Sequence, residues 1–269
     1  MFIMAKKFVK KLGDKKVIIF DLDGTLTPSK SNMESDMARA LGTLLAKKKV
    51  AVIGGGTYAQ FRKQFVAELQ CPKPLLENLF LFPTTATAFY RYDHGWKNVY
   101  SLVLSPEERS VIKKTFAAVL KEIHYVPPPK TYGRVIEDRK SQVTFSALGQ
   151  DVVAVLGKKG IRLKEEWKQK NTPLKIRIAK LMQERLPDLE VRTSAYTSID
   201  ITKKGIDKAY GVRKIEKMLK TPLQKMVFIG DGLYPGGNDA AAKKTGIKCI
   251  AVRGPEDTEK IISSIIRAS

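Results

Sequence analysis

The chain has 269 residues, 43% hydrophobic and 28% charged, which is enough for one large or two modest domains, each with its own core. No apolar run is long enough to span a membrane, and lysines break up Met1 to Leu12 before an apolar leader core can form, so the expected location is the cytoplasm. The formal net charge of +22 attracts anions in general, but the lysines are spread along the chain without an arginine-rich block; this leaves nonspecific nucleic-acid binding as a secondary expectation. Cys71 and Cys249 are far apart, lack metal-ligand spacing and read as reduced thiols, and His94 and His124 are isolated. Chemistry therefore falls to carboxylates and hard cations.

In chain order, Val17 to Phe20 reads as a buried strand that stops at two carboxylates one residue apart, Asp21 and Asp23, with Gly24 permitting a turn. In an open α/β sheet, ligands bind beyond the carboxyl ends of the strands, so one acid can attack while the other handles protons. A helix over Met33 to Lys49 and a strand over Val50 to Ile53 follow, then Gly54-Gly55-Gly56-Thr57 and a helix from Tyr58 to Leu69. Strand, glycine turn and helix start present bare N–H groups to an anion. From Leu79 the texture becomes aromatic and β-branched between polar turns, with helices over Pro106 to Ile123 and Thr172 to Leu186, which suggests an α+β unit with an antiparallel sheet. The earlier pattern resumes at Gly205-Ile206-Asp207-Lys208, which opens a helix to Leu219. The strand Met226 to Ile229 again ends in an acid, Asp231, and the loop runs on to Gly236-Gly237-Asn238-Asp239. A short helix, a strand over Lys248 to Val252 and a C-terminal helix complete the pattern.

The pentad Asp21-Leu22-Asp23-Gly24-Thr25, the glycine turn, the G-x-D-K at Lys208 and the acidic loop after Asp231 together resemble the haloacid dehalogenase superfamily, in the subclass with a large α+β cap. Within it, FDLDGTLTP, GDGLYPGGND and Pro255-Glu256-Asp257-Thr258 are similar to the phosphomannomutases of eukaryotic type. The resemblance implies an α/β fold with a Rossmann-like core and parallel sheet over residues 1–87 and 204–269, and an inserted cap over 88–203. It implies phosphoryl transfer through an aspartyl-phosphate on a phosphorylated small molecule. Asp21 would be the nucleophile, Asp23 the acid and then the base, and Lys208 the neutraliser of the phosphoryl group, with Thr25, Gly55, Gly56 and Thr57 around the phosphate. Asp21 and Asp231 repel unless a cation lies between them, and an all-oxygen set selects Mg²⁺, held by Asp21, the Asp23 carbonyl and Asp231, with Asn238 and Asp239 direct or through water. For Asp239, capping the next helix is an equal alternative.

In the cap, the resemblance assigns Ser198 and Asp200 to the sugar and Arg139 to a distal phosphate. Lys30 replaces one expected arginine, Tyr132 a second, with Arg134 two residues on as compensation, and Gln150 a third; Gly56 replaces a serine. Losing bidentate arginines weakens a second phosphate site, which a mutase needs and a phosphatase does not. The expectation is therefore a sugar-phosphate phosphatase, with phosphomannomutase as the close alternative and an RNA-binding protein on an inactive scaffold as the second. A homodimer follows from the family alone.

Overall fold

A strand covered on both faces has to be apolar at every position, and Val17–Asp21 is such a strand, buried along its whole length. The computed structural model describes residues 12–28, 31–194 and 196–269. In chain order its strands are β1 (Val17–Asp21), β2 (Lys49–Ile53), β3 (Leu79–Phe82), β4 (Ala88–Tyr92), β5 (Trp96–Ser101), β6 (Ile136–Asp138), β7 (Val143–Ser146), β8 (Leu189–Ser194), β9 (Ser198–Lys203), β10 (Met226–Gly230) and β11 (Lys248–Ala251). The main helices are α1 (Ser35–Leu45), α2 (Tyr58–Gln64), α3 (Pro106–Glu122), α4 (Val152–Leu156), α5 (Lys158–Arg185), α6 (Lys208–Leu219), α7 (Ala240–Lys243) and α8 (Pro255–Ala268). Among the described residues, no helix is long and apolar enough to cross a membrane.

Two compact units divide the chain. The first comprises the chain through Tyr100 with Asp207–Pro235 and Asp239–Ser269; the second comprises Ser101–Ile206 and Gly236–Asn238. The sheet of the first unit runs β11-β10-β1-β2-β3-β4-β5, parallel as far as β3, with β4 antiparallel to β3. Alternate residues serve opposite faces, as a period of two requires. Ile18, Phe20, Val50, Val52, Val227 and Ile229 join Met37 and Leu41 of α1 and Ile262 and Ile265 of α8 in one core. Val17, Ile19, Ala51, Ile53 and Phe228 join Val212 and Ile215 of α6 in the other.

The first unit extends past the expected boundary at residue 87. Aromatic spacing alone suggested a new domain at residue 88, yet β4 and β5 lengthen the core sheet. Phe89 stacks on Phe82 with ring centroids 4.5 Å apart, and Tyr90 stacks on Tyr58 at 3.7 Å. At the other end, the division falls before Asp207 instead of at residue 204.

The second unit carries the antiparallel sheet β6-β7-β9-β8. Val143, Phe145, Ile199 and Ile201 pack with Ile112 and Phe116 of α3 and with Ile178 and Met182 of α5, while Thr144, Ser198 and Asp200 alternate with them. α3 starts as its sequence dictates: Ser105 and Glu108 form a reciprocal capping box, and Pro106 takes the first turn. α5 runs 28 residues, much longer than expected from Thr172 onward. Its first half is rich in lysine with few apolar residues, so the helical period is faint there, and Pro173 reads as a stop. The Thr172 hydroxyl donates to the Lys168 carbonyl at 2.6 Å beside that proline.

Phe145 is fully buried between Phe116 and Tyr125, at centroid distances of 5.6 and 6.0 Å. Phe145→Ala should lower the stability of this unit by about 3–5 kcal/mol. Urea unfolding followed through Trp167, in a Trp96→Phe background, reads that unit; an unchanged midpoint would contradict the packing described.

Candidate active site

The parallel register sets the site. Asp21 is the last residue of β1, level with Ile53 of β2, while Phe20 pairs with Ile229, so Asp21 and Asp231 leave neighbouring parallel strands at their carboxyl ends. Lys208 is the first residue of α6, whose N-cap Asp207 accepts from the Tyr210 N–H at 2.8 Å. The Lys208 ammonium group donates to Asp21 Oδ1 at 2.5 Å and also to Asp239 Oδ1. Asp21, Lys208 and Asp239 are all buried, so these charges meet without water to screen them.

Asp231 is held from the motif loop. Its N–H donates to Thr25 Oγ1 at 3.1 Å, and the same hydroxyl donates to Asp231 Oδ1 at 3.4 Å. Gly24 has φ +83°, and a Cβ there would stand 2.7 Å from the Asp231 carboxylate, so glycine is needed on both counts. Asp239 does not cap α7 with its side chain. Its second oxygen accepts from the Gly232 N–H at 2.9 Å, so the expected alternative of a helix cap is not what its side chain does. The half-buried Asp23 forms a backbone bridge to Thr27, and Asn238 is half-buried in the turn before Asp239.

Carboxylate oxygens of Asp21, Asp231 and Asp239 lie within 4.8 Å of one another. Burial pushes the Asp21 carboxyl well above the ordinary range; Lys208 opposes that shift, and Asp239 and Asp231 add to it. Burial, then Asp239, also raises Asp231. Burial disfavours the Lys208 ammonium form, but Asp21 and Asp239 outweigh that and hold its pKa above the usual lysine value. Three carboxylates share one ammonium group, and the all-oxygen donor set fits a hard divalent cation.

In the loop after β2, the Thr84 N–H donates to the Gly56 carbonyl at 2.8 Å and the Thr85 N–H to the Gly54 carbonyl at 2.9 Å. Thr84, Thr85 and Ala86 all have positive φ, at 49°, 57° and 65°. Three left-handed residues without glycine are costly, and they brace Gly54, Gly55 and Gly56 from behind. Nothing in the residue types signals this turn. Thr57 caps α2, its hydroxyl accepting from the Gln60 N–H at 3.3 Å, which leaves its own proton to donate.

The second unit holds the remaining candidates. Arg139 is paired with Glu137, its Nε donating at 2.7 Å, and a second nitrogen donates to Gln150 Oε1 at 3.1 Å. Asp200 accepts from the Thr144 hydroxyl at 2.7 Å, Ser198 is buried on the same strand, and Arg134 is exposed. Lys30 lies outside the described residues. Cys71 and Cys249 are free thiols.

A carboxyl whose folded pKa is raised stabilises the fold below its unfolded value of 3.8 and loses that contribution as pH rises through the folded value. Metal-free protein should therefore gain stability from Asp21→Asn at pH 7 and little at pH 4. Urea midpoints at the two pH values test this, and equal gains at both would contradict it.

A family model for haloacid dehalogenase-like hydrolases matches residues 18–241. The chain is 26% identical over 260 residues to a phosphomannomutase of Encephalitozoon cuniculi, covering 94% of each chain. It is 23% identical over 265 residues to a phosphomannomutase of Saccharomyces cerevisiae, covering 96% of this chain and 97% of the relative. In fold it is similar to the Plasmodium falciparum IMP-nucleotidase, with a TM-score of 0.69 at 16% identity over 97% of this chain and 74% of that one. With a family match over most of its length and the motif acids gathered at the carboxyl ends of neighbouring strands, the chain belongs to the haloacid dehalogenase-like hydrolase family.

Proposed function

We propose that this chain is an Mg²⁺-dependent phosphoryl-transfer enzyme that removes phosphate from a phosphorylated sugar. The observation that carries the reading is the buried group of Asp21, Lys208, Asp231 and Asp239. Asp21, Asp231 and the Asp23 carbonyl would hold Mg²⁺, with Asp239 and Asn238 nearby. When bound, the cation offsets the charge on the phosphoryl oxygens. Asp21 attacks phosphorus in line and carries the phosphoryl group as an aspartyl-phosphate. Asp23 gives its proton to the departing sugar oxygen, then takes one from the water that attacks the intermediate. Lys208 favours the ionised form of Asp21 against the effect of burial and neutralises the transferring group. Gly55, Gly56, Thr57 and Thr25 would orient the phosphate through N–H and O–H donors.

Hydrolysis is favoured over transfer back to the sugar by the state of Arg139, which Glu137 and Gln150 already engage. A mutase must hold a second phosphate while its intermediate turns over. Phosphomannomutase is the second reading, supported by the match to such enzymes across 94% of the chain. In either case the substrate contacts assigned to Ser198, Asp200, Arg134 and Lys30 follow from the family resemblance. The same reading carries a cytosolic location and, by analogy with the family's cap-mediated pairing, a homodimer, and the +22 charge supports weak, salt-sensitive RNA association as a side property.

The test is ³¹P NMR with Mg²⁺, mannose 1-phosphate and a trace of glucose 1,6-bisphosphate. Inorganic phosphate is the expected product, and mannose 6-phosphate without inorganic phosphate would establish the mutase instead. Asp21→Asn should lower kcat by roughly 10⁴- to 10⁶-fold. Lys208→Met should lower it by about 10²- to 10³-fold. Full turnover of p-nitrophenyl phosphate by Asp21→Asn would overturn the nucleophile assignment.

A further inference from the structure

α5 carries lysines at positions 164, 168 and 175, offsets of four and eleven residues that fall on one face of a helix with about 3.6 residues per turn. All three reach one aromatic residue. The Lys168 ammonium group lies 4.8 Å from the centroid of the Tyr196 ring and that of Lys164 lies 5.8 Å from it, while Lys175 Nζ donates to the Tyr196 carbonyl at 3.3 Å. These are not stems lying on the surface with their heads in water. Lys164 is 0% exposed and Lys175 7%, while Lys168 is half-buried.

The lysines are each engaged, and they bring three like charges to one point. Burial, with the like charge of Lys168 adding to it and Asp200 opposing it, lowers the pKa of Lys175 to about 8. The Asp200 carboxylate is itself oriented by the Thr144 hydroxyl at 2.7 Å. Like charges one turn apart on a helix repel, and repulsion between buried ammonium groups is hardly screened. An anion among them would reverse that balance. Three ammonium groups gathered at one point suit a dianion, and lysine binds phosphate as a compact point charge with three donors.

We propose that Lys164, Lys168 and Lys175, converging on Tyr196, form a phosphate-binding site within the second unit. Its ligand is a phosphate dianion, either free or as the phosphate group of a small metabolite. The site is distinct from Arg139, which Glu137 and Gln150 hold, and it does not depend on the phosphoryl-transfer reading.

The test uses the full chain with Mg²⁺ and beryllofluoride, which occupies the Asp21 site as a phosphoryl mimic, and titrates it by calorimetry with inorganic phosphate and separately with mannose 6-phosphate. One saturable site is expected, with affinity about tenfold or more weaker in Lys168→Gln and in Lys175→Gln. Should Lys175→Gln fail to fold, Lys168→Gln, at a half-buried position, carries the comparison. Tighter binding of inorganic phosphate identifies the free anion as ligand, and tighter binding of the sugar phosphate identifies the metabolite. No saturable binding of either, or equal affinity in wild type and folded variants, overturns the proposal. ¹⁹F NMR of bound beryllofluoride reports the Asp21 site separately: its absence would count against the phosphoryl-transfer reading, while lysine-dependent binding would still stand.

Discussion

Lys208 brings its charge into the interior, where water no longer screens it, and Asp21 and Asp239 accept its hydrogen bonds while Asp231 stands beside them. A lone buried ammonium group would shed its proton, and a lone buried carboxyl would take one up. Lys208 opposes the upward push that burial gives Asp21, and the two carboxylates it meets keep the ammonium group charged; the arrangement persists only because separate parts of the chain deliver the groups to one point. β1 supplies Asp21, the turn after β10 supplies Asp231, the loop before α7 supplies Asp239 and the first turn of α6 supplies Lys208. Removing the ammonium group from such a set would leave its carboxylates buried and unpaired, which is more damaging than never having built it.

The surrounding loops are shaped by the same demand. Gly24 lets the motif loop lie against the Asp231 carboxylate, and Gly230 does the same for Asp239, whose oxygen would stand 2.2 Å from an added Cβ. Behind the glycine loop, Thr84 to Ala86 accept an unfavourable left-handed backbone, so their N–H groups can meet the Gly54 and Gly56 carbonyls. Strain in one segment there stabilises the conformation of another.

The second unit has a polar logic of its own. Its sheet has an apolar side packed on α3 and α5, whereas Thr144, Ser198 and Asp200 alternate with the core residues. Its cations are divided between two settings. Arg139 is engaged by Glu137 and Gln150, whereas Lys164, Lys168 and Lys175 of α5 converge on Tyr196. The chemistry of the first unit and the anion affinity of the second are therefore separable by substitution.

The sequence by itself determined the parts whose signal is local. The apolar run into Asp21 and Asp23, the glycine turn after β2 and the acid after β10 are legible because a buried strand, a turn and a motif each need particular residue types at fixed spacing. Tertiary structure alone decided the parts that depend on residues distant in the chain. Asp239 reads equally well as a helix cap until Lys208, 31 residues away, and the Gly232 N–H take up its two oxygens. β4 and β5 read as the start of a new domain until Phe82 and Tyr58 stack on their aromatic residues. Arg139 reads as a phosphate ligand until Glu137, two residues back in β6, pairs with it. The lysines of α5 read as a solvated face because charge spacing is all the sequence displays. Their burial depends on where the β8–β9 turn sets Tyr196, and no local pattern encodes that.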